Sequence, residues 1–293
     1  MSDSRIITKD FEYFPVNSAD EAVQLLSTHG RQAKIIAGGT DILVGMKLGK
    51  IEPDYLIGVQ DIPGIGDLEE TGKGVRIGAG CTFHQVEASP VIKQRYQALY
   101  EAAKSVSSLQ IKNMGTIGGN LCNASPASDS APALLVLGAL VKIRGPGRDR
   151  LIGLEDLFVG PGETSLAEDE MLTEIQLPPP LPGAGSAFQK IARVSADLAK
   201  VNGAVFVGRK GAHCLDCRIA LGSVAKTAVR AKEAESIMKG HEFNEKRLEA
   251  VALKASEEIA PITDLRSSEE YRRAVSKVIT RRALLKAWDR AGG

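Results

Sequence analysis

Residues 112–139, KNMGTIGGNLCNASPASDSAPALLVLGA, spend unusual backbone freedom just ahead of a long apolar run. A glycine held in one conformation costs roughly 0.5–1 kcal/mol relative to alanine. The cluster Gly115, Gly118 and Gly119 therefore marks a place where some group must come close to the backbone. A second cluster lies upstream in residues 33–47, AKIIAGGTDILVGMK. Each cluster sets adjacent glycines, Gly38–Gly39 or Gly118–Gly119, beside a threonine, Thr40 or Thr116. Adjacent glycines let successive N–H groups converge on one anion, a nest that suits phosphate. Two such loops suit a diphosphate gripped from both sides. The plainer alternative is a pair of tight turns between strands. Asp41, Asn120, Ser125, Ser128 and Asp129 gather around the loops and favour the ligand.

Neither loop carries the G-x-G-x-x-G of Rossmann nucleotide sites, and neither closes with the G-K-[ST] of a P-loop. The GIGDLEE stretch at Gly64 lacks the third glycine. A dinucleotide here has to be held in some other way.

Working outward, residues 11–30 read as a strand and then a helix, entered through Ser18 with Glu21 as a capping box and closed by Gly30. Residues 33–39 form a short apolar strand ending in the first loop, which makes a β-α-β unit. Residues 54–59, 74–80 and 82–89 continue as strands and a turn. Residues 91–108 carry helical spacing in Val91, Ala98, Leu99, Ala102 and Val106. After the second loop, a buried helix leads into a strand by residue 145. Pro178, Pro179, Pro180 and Pro182, with Gly183 and Gly185, mark the clearest boundary in the chain.

Beyond it, residues 187–193, 201–208 and 213–224 read as three adjacent strands, and three helices follow near 230–240, 244–259 and 268–289. The second helix shows Leu248, Val251, Ala252, Ala255 and Ile259 on one face. The third shows Tyr271, Ala274, Val275, Val278, Arg282, Leu285 and Trp288, entered through Ser267 with Glu270. The expectation is an α+β chain of two domains: 1–177, with two α/β lobes of about 1–57 and 58–177, and 185–291, a small three-stranded sheet with helices.

The bulk properties exclude several classes. A net charge of +1 gives no pull toward nucleic acid or a membrane surface. Aromatic residues at 4% leave no stacking platform for bases. No run has the length of a membrane span or a secretory signal, and four scattered cysteines make no disulfide framework, so a cytoplasmic location is expected.

The pair KIIAGGTDILVGMK and GTIGGNLCNASPASDSAPALLVLGA closely resembles the FAD-binding medium subunit of the molybdenum hydroxylases, a family that includes xanthine dehydrogenase, aerobic carbon monoxide dehydrogenase and 4-hydroxybenzoyl-CoA reductase. EMLTEIQLP at the boundary and SAFQKIARVSADLAKV beyond it extend the resemblance over the whole chain. It implies a two-lobed FAD domain of the vanillyl-alcohol-oxidase (PCMH) kind. In that family the stretch matching Lys34, Ile35, Ile36, Ala37, Gly38, Gly39, Thr40 and Asp41 wraps the FAD diphosphate, as does the one matching Gly115, Thr116, Ile117, Gly118 and Gly119. Asn120 would lie beside the loops and Asp129 would be a polar contact. Met171 and Leu172 would pack near the flavin, and Lys190, with Gln189 as the alternative, would sit close to it, its ammonium favouring the anionic reduced ring.

The family role is an oxidoreductase subunit without catalytic side chains or metal of its own. FAD would exchange electrons between two [2Fe–2S] clusters on a small subunit and an external acceptor, while a large molybdopterin subunit oxidises or reduces the substrate. The assembly would be a dimer of heterotrimers. A stand-alone FAD-dependent oxidoreductase of the same fold is one alternative, and a nucleotide-binding regulatory module is another. In 4-hydroxybenzoyl-CoA reductase the region around Cys122 carries an insertion for a [4Fe–4S] cluster; here it is short and lacks partner cysteines. Cys214 and Cys217 fall three apart in an expected strand, which points them to opposite faces as small buried residues. His29, His84, His213 and His241 form no ligand pattern.

Overall fold

The computed structural model describes residues 6–292. Residues 1–5, the start of the expected first domain, lie outside the described residues.

The first lobe holds β1 (Glu12–Pro15), α1 (Ala19–His29), β2 (Ala33–Ile36), α2 (Ile42–Lys47) and β3 (Tyr55–Gly58). Its three strands are parallel in the order β1-β3-β2. Ser18 Oγ accepts the Glu21 N–H as expected, while the Glu21 carboxylate closes onto the N–H of Asn17, one residue earlier than the box requires. Gly30, at φ +53°, returns its N–H to Leu26 and ends α1.

The second lobe holds β4 (Leu68–Thr71), β5 (Gly74–Gly78), α3 (Phe83–Ala88), α4 (Pro90–Arg95), α5 (Gln97–Ser105), α6 (Leu109–Met114), α7 (Ile117–Cys122), α8 (Ser130–Val136), β6 (Leu140–Gly145), β7 (Arg148–Gly153), β8 (Phe158–Gly160), β9 (Glu163–Thr164) and β10 (Met171–Leu177). Its main sheet is antiparallel, ordered β4-β5-β10-β6-β7. Two sequence expectations are corrected. Residues 83–88 form a helix rather than a strand, because Thr82 and Gln85 close a complete capping box. The helix expected across 91–108 breaks at Tyr96, which leaves helical geometry to bury its ring and donate its hydroxyl to Pro178 O.

The C-terminal domain holds β11 (Ala184–Ile191), β12 (Val201–Lys210), β13 (His213–Gly222), β14 (Val229–Arg230), α9 (Lys232–Met238), α10 (Glu245–Glu257) and α11 (Glu269–Arg290). The strands run as an antiparallel meander, with the two-residue β14 added to the three expected. Alternation along the strands splits the sheet into two faces. Phe188, Ala204, Phe206 and Ala220 join the core of the first domain, while Ala187, Val205, Val207, Ile219 and Leu221 meet the helices behind.

The face of α11 differs from the expected one. Arg272, Ser276, Ile279, Thr280, Ala283, Leu284 and Ala287 are buried, whereas Tyr271 and Val278 are exposed. Close approach selects the smaller residues: a Cβ on Gly185 would stand 2.3 Å from Ala287 O. Arg272 enters this face because its guanidinium caps the carbonyls of Lys200 and Ser223. The helix is capped by Ser268, one residue later than expected. A bulge in β13, where Arg209 pairs with Cys214 and Gly208 with Asp216, leaves Leu215 as the extra residue. The shift turns Cys214 and Cys217 to the same buried face, not to opposite ones.

Carboxylates join the two domains. Glu101 on α5 accepts the Phe188 N–H at 2.9 Å and pairs with Lys286 at 2.7 Å and Arg290 at 2.5 Å. Burial works to raise the Glu101 carboxyl, but the hydrogen bonds from Arg290, Lys286 and Phe188 outweigh it and hold the group below the usual glutamate range. A depressed carboxyl stabilises the fold above its unfolded pKa, about 4.3, and loses that contribution as pH falls through the folded value. Glu101→Gln is therefore expected to lose about 1.5–3 kcal/mol at neutral pH, the scale of a hydrogen bond to a charged group. Thermal unfolding followed by circular dichroism from pH 3 to 7 should show a lower midpoint at pH 7 and a flatter acid dependence than the parent chain.

Candidate cofactor site

The first glycine loop leaves β2 at Ile36, where the strand ladder stops. Val59 N–H donates to Ile36 O at 3.2 Å and Gln60 Nε2 to Ala37 O at 2.6 Å, which ties down the entry of the loop. Gly39 sits at φ +72°, a conformation that favours glycine. Among the described residues, the N–H groups of Gly38, Gly39, Thr40 and Asp41 donate to no protein atom. Four successive free donors at a turn make an anion nest.

The second loop is built differently. Ile117 N–H donates to Cys81 O, Gly118 N–H to Ala79 O, Gly119 N–H to Thr116 Oγ1 and Asn120 N–H to Thr116 O, all within 2.9–3.0 Å. The amides of Ile117 to Asn120 are therefore satisfied within the protein, so the two loops are not built alike. This loop is a brace. A Cβ on Gly38 would stand 1.6 Å from Met114 O, so the first loop rests directly on the entry to the second. A Cβ on Gly118 would meet Ala79 at 2.6 Å, which fixes α7 against the end of β5. Gly119 alone faces outward, with only Thr116 Oγ1 in reach at 2.8 Å.

Asn120 orders the turn that follows: its Oδ1 accepts the Ser128 hydroxyl at 2.5 Å and the Ser130 hydroxyl at 2.7 Å. Asp129, next to both, is buried and faces the C-terminal domain. Its Oδ2 takes the Lys190 ammonium at 2.6 Å, and its Oδ1 takes the Asn202 amide at 2.8 Å. Burial pushes the Asp129 carboxyl above its ordinary range, and Lys190 and Asn202 oppose that push. Lys190 also donates to Ser105 O, so Lys190 and not Gln189 reaches this cluster. Ser107 and Ala124, at φ +29° and +45°, take the left-handed region that non-glycine residues rarely adopt.

The remaining expected residues fall into two groups. Met171 and Leu172 are buried on β10, and Ala79 links that strand to α7 by donating to Thr173 O while accepting from Gly118. Lys34 is exposed, Ile35 half-buried and Ile36 buried in the small first-lobe sheet, where they carry the loop. A cavity of about 230 Å³ lies elsewhere, on the outer face of β5, β6 and β10. Its cations Arg76, Lys142 and Arg144 are paired with the carboxylates around them, and none of the expected cofactor residues lines it.

Comparison with known proteins bears on this arrangement. Residues 9–180 match the FAD binding domain in molybdopterin dehydrogenase, and residues 186–287 match the CO dehydrogenase flavoprotein C-terminal domain. The carbon monoxide dehydrogenase medium chain of Hydrogenophaga pseudoflava is 34% identical over 97% of this chain and 99% of its own. A solved carbon monoxide dehydrogenase from the same organism superposes with a TM-score of 0.95 at 35% identity, covering 98% of this chain and all of that one. The chain belongs to the FAD-binding medium subunits of the molybdenum hydroxylases. Other relatives, the nicotine 6-hydroxylase medium subunit of Paenarthrobacter nicotinovorans (33% identical over 93% of this chain and 95% of its own) and a putative xanthine dehydrogenase FAD-binding subunit of Escherichia coli (31%, 93% and 94%), spread the family over several substrates.

The donors present fit FAD: four free N–H groups for a diphosphate, an exposed glycine, Gly119, in the bracing loop, and a buried acid, Asp129, in the turn after it. Sequence reasoning missed Asn202 and Ala79. Asn202 had a signal, a lone amide in an apolar strand; Ala79 acts through its backbone and had none.

The two glycine classes predict separable failures. Gly38→Ala drives a Cβ into Met114 O and should lower both FAD content and the unfolding midpoint. Gly119→Val, which meets only a threonine hydroxyl, should strip FAD while leaving the midpoint of the apo chain within a few degrees. The ratio of flavin absorbance to protein, beside a melting curve for each variant, checks both.

Proposed function

We propose that FAD lies with its diphosphate over the free N–H groups of Gly38–Asp41, backed by the second loop, and that the chain is the electron-transfer subunit of a molybdenum hydroxylase complex. The observation that carries this reading is the row of free donors braced from below by a loop whose own amides are spent. When bound, FAD would supply redox chemistry between [2Fe–2S] centres on a small subunit and an external acceptor. The protein residues hold and orient. The Gly38–Asp41 amides would hold the diphosphate, with Thr40 and Thr116 beside it, and the buried Met171 and Leu172 would pack near the flavin and exclude water.

Among the described residues no group of three or more His, Cys, Asp or Glu side chains is placed to hold a metal ion; the clusters and molybdopterin would reside on partner chains. Val44, Leu48, Leu109 and Met114 stand more than half exposed on α2, α6 and the turn after α2, beside the two loops. Apolar side chains left open there support a covering subunit, within a cytoplasmic dimer of heterotrimers. No helix of the described residues is long and apolar enough to cross a membrane.

Purified chain is expected to release FAD, not FMN, on denaturation. Alone it should pass electrons to an artificial acceptor yet turn over no hydroxylase substrate, and pull-down from its native host should recover a small and a large partner. Substrate turnover by the isolated chain would favour the stand-alone oxidoreductase instead.

A further inference from the structure

We propose that Asn202, on β12 of the C-terminal domain, is a positioning residue of the cofactor site that fixes the Asp129 carboxylate and, through it, the Lys190 ammonium. This rests on the reading that FAD lies over the glycine loops beside Asp129.

Asn202 is fully buried, and its Nδ2 donates to two acceptors, Asp129 Oδ1 at 2.8 Å and Ser128 O at 3.0 Å. That pairing dictates the orientation of the amide, because a flip would turn Oδ1 toward two other oxygens. In the orientation adopted, Oδ1 is buried with no hydrogen-bond partner. The backbone makes room for it. Gly222 lies opposite Asn202 in the ladder, and a Cβ there would stand 2.1 Å from Oδ1. Val201, Gly203, Ala204 and Val205 surround Asn202 along its strand, so an aliphatic side chain would serve packing with no buried oxygen left over. What the amide adds is a donor aimed at Asp129.

With that donor present, Asp129 and Lys190 face each other as a compact neutral pair. Among the described residues, Lys190, on the strand paired with β12, is the charged group in contact with the Asp129 carboxyl, and the α5 side contributes the Ser105 carbonyl to Lys190. Without the donor, the buried carboxyl takes up a proton more readily. The Lys190 charge is then left uncompensated beside the cofactor.

The test uses the full chain loaded with FAD, comparing Asn202→Leu, the isosteric Asn202→Asp and Gly222→Ala with the parent. Flavin affinity is read by fluorescence quenching, midpoint potential by dye equilibration at pH 6 and pH 8, and stability by melting. Asn202→Leu is expected to weaken FAD binding about tenfold, the scale of one lost charge-assisted hydrogen bond, and to raise the midpoint potential, more at pH 6 than at pH 8. Gly222→Ala, which displaces Oδ1, should move both readings the same way. Asn202→Asp carries the test if leucine disturbs folding, and should show the steepest pH dependence because two carboxyls then compete for one proton. A lower melting point with unchanged affinity and potential in these variants would make Asn202 a packing residue and overturn the proposal. Failure of the parent chain to bind FAD would overturn the reading beneath it instead.

Discussion

The contact between Gly38 and the carbonyl of Met114 is the constraint on which the site depends. No side chain fits between these two backbones, since even a methyl carbon would stand 1.6 Å from the oxygen. The first loop is therefore supported at Gly38, and among the described residues its N–H groups are left without partners. Unsatisfied donors held rigidly are preorganised for an anion, so binding need not first order them. A loop free to collapse would find its own carbonyls and lose the site. The second loop supplies that rigidity by spending its amides on Ala79, Cys81 and Thr116, which anchors it to the end of β5. One loop stays open because the other is closed.

The C-terminal domain completes the arrangement as a polar wall. Two carboxylates of the first domain, Glu101 and Asp129, each receive donors from the second, and between them they engage Lys190, Asn202, Phe188, Lys286 and Arg290. Apolar contact through Phe188, Ala204, Phe206 and Ala220 supplies the attraction, which is non-directional. The carboxylates supply register. A sheet that slid along α5 and α8 could keep most of its apolar burial, but it would strand one buried and one half-buried acid.

Most element types were legible in the sequence because each has a local cause. Adjacent glycines, a proline run and caps such as Ser18 act within a few residues. The errors share a different origin. The buried face of α11 follows from how close Gly185 lets the helix come, a fact held by another strand. The shared face of Cys214 and Cys217 follows from a bulge that depends on pairing with β12. Thr82 and Gln85 carry the local signal of a helix start, a capping box, that the expectation of strands and a turn passed over. At the site, residue identity was visible and the division of labour was not. Both loops look like nests until the acceptors of Ile117 and Gly118 are known, and those acceptors, Cys81 and Ala79, lie more than 30 residues upstream.

Lys190 shows why pairing matters more than identity in such a site. Read alone, its ammonium about 4 Å from a developing negative charge is worth on the order of 4 kcal/mol at an effective dielectric near 20. In the folded chain it stands 2.6 Å from Asp129, with both side chains about nine-tenths buried. A neighbour of the pair feels the difference between two nearly equal and opposite terms, and that difference falls off faster with distance than either term. The Lys190 ammonium is thus paired and not free: on the reading that FAD lies beside it, the cofactor would feel the field of a dipole, set by how far Asp129 lies behind Lys190. The length of that dipole is governed by the carboxylate's other partner. A residue without charge, on a strand that the glycine motifs never mention, thus controls how much of the lysine's charge is felt.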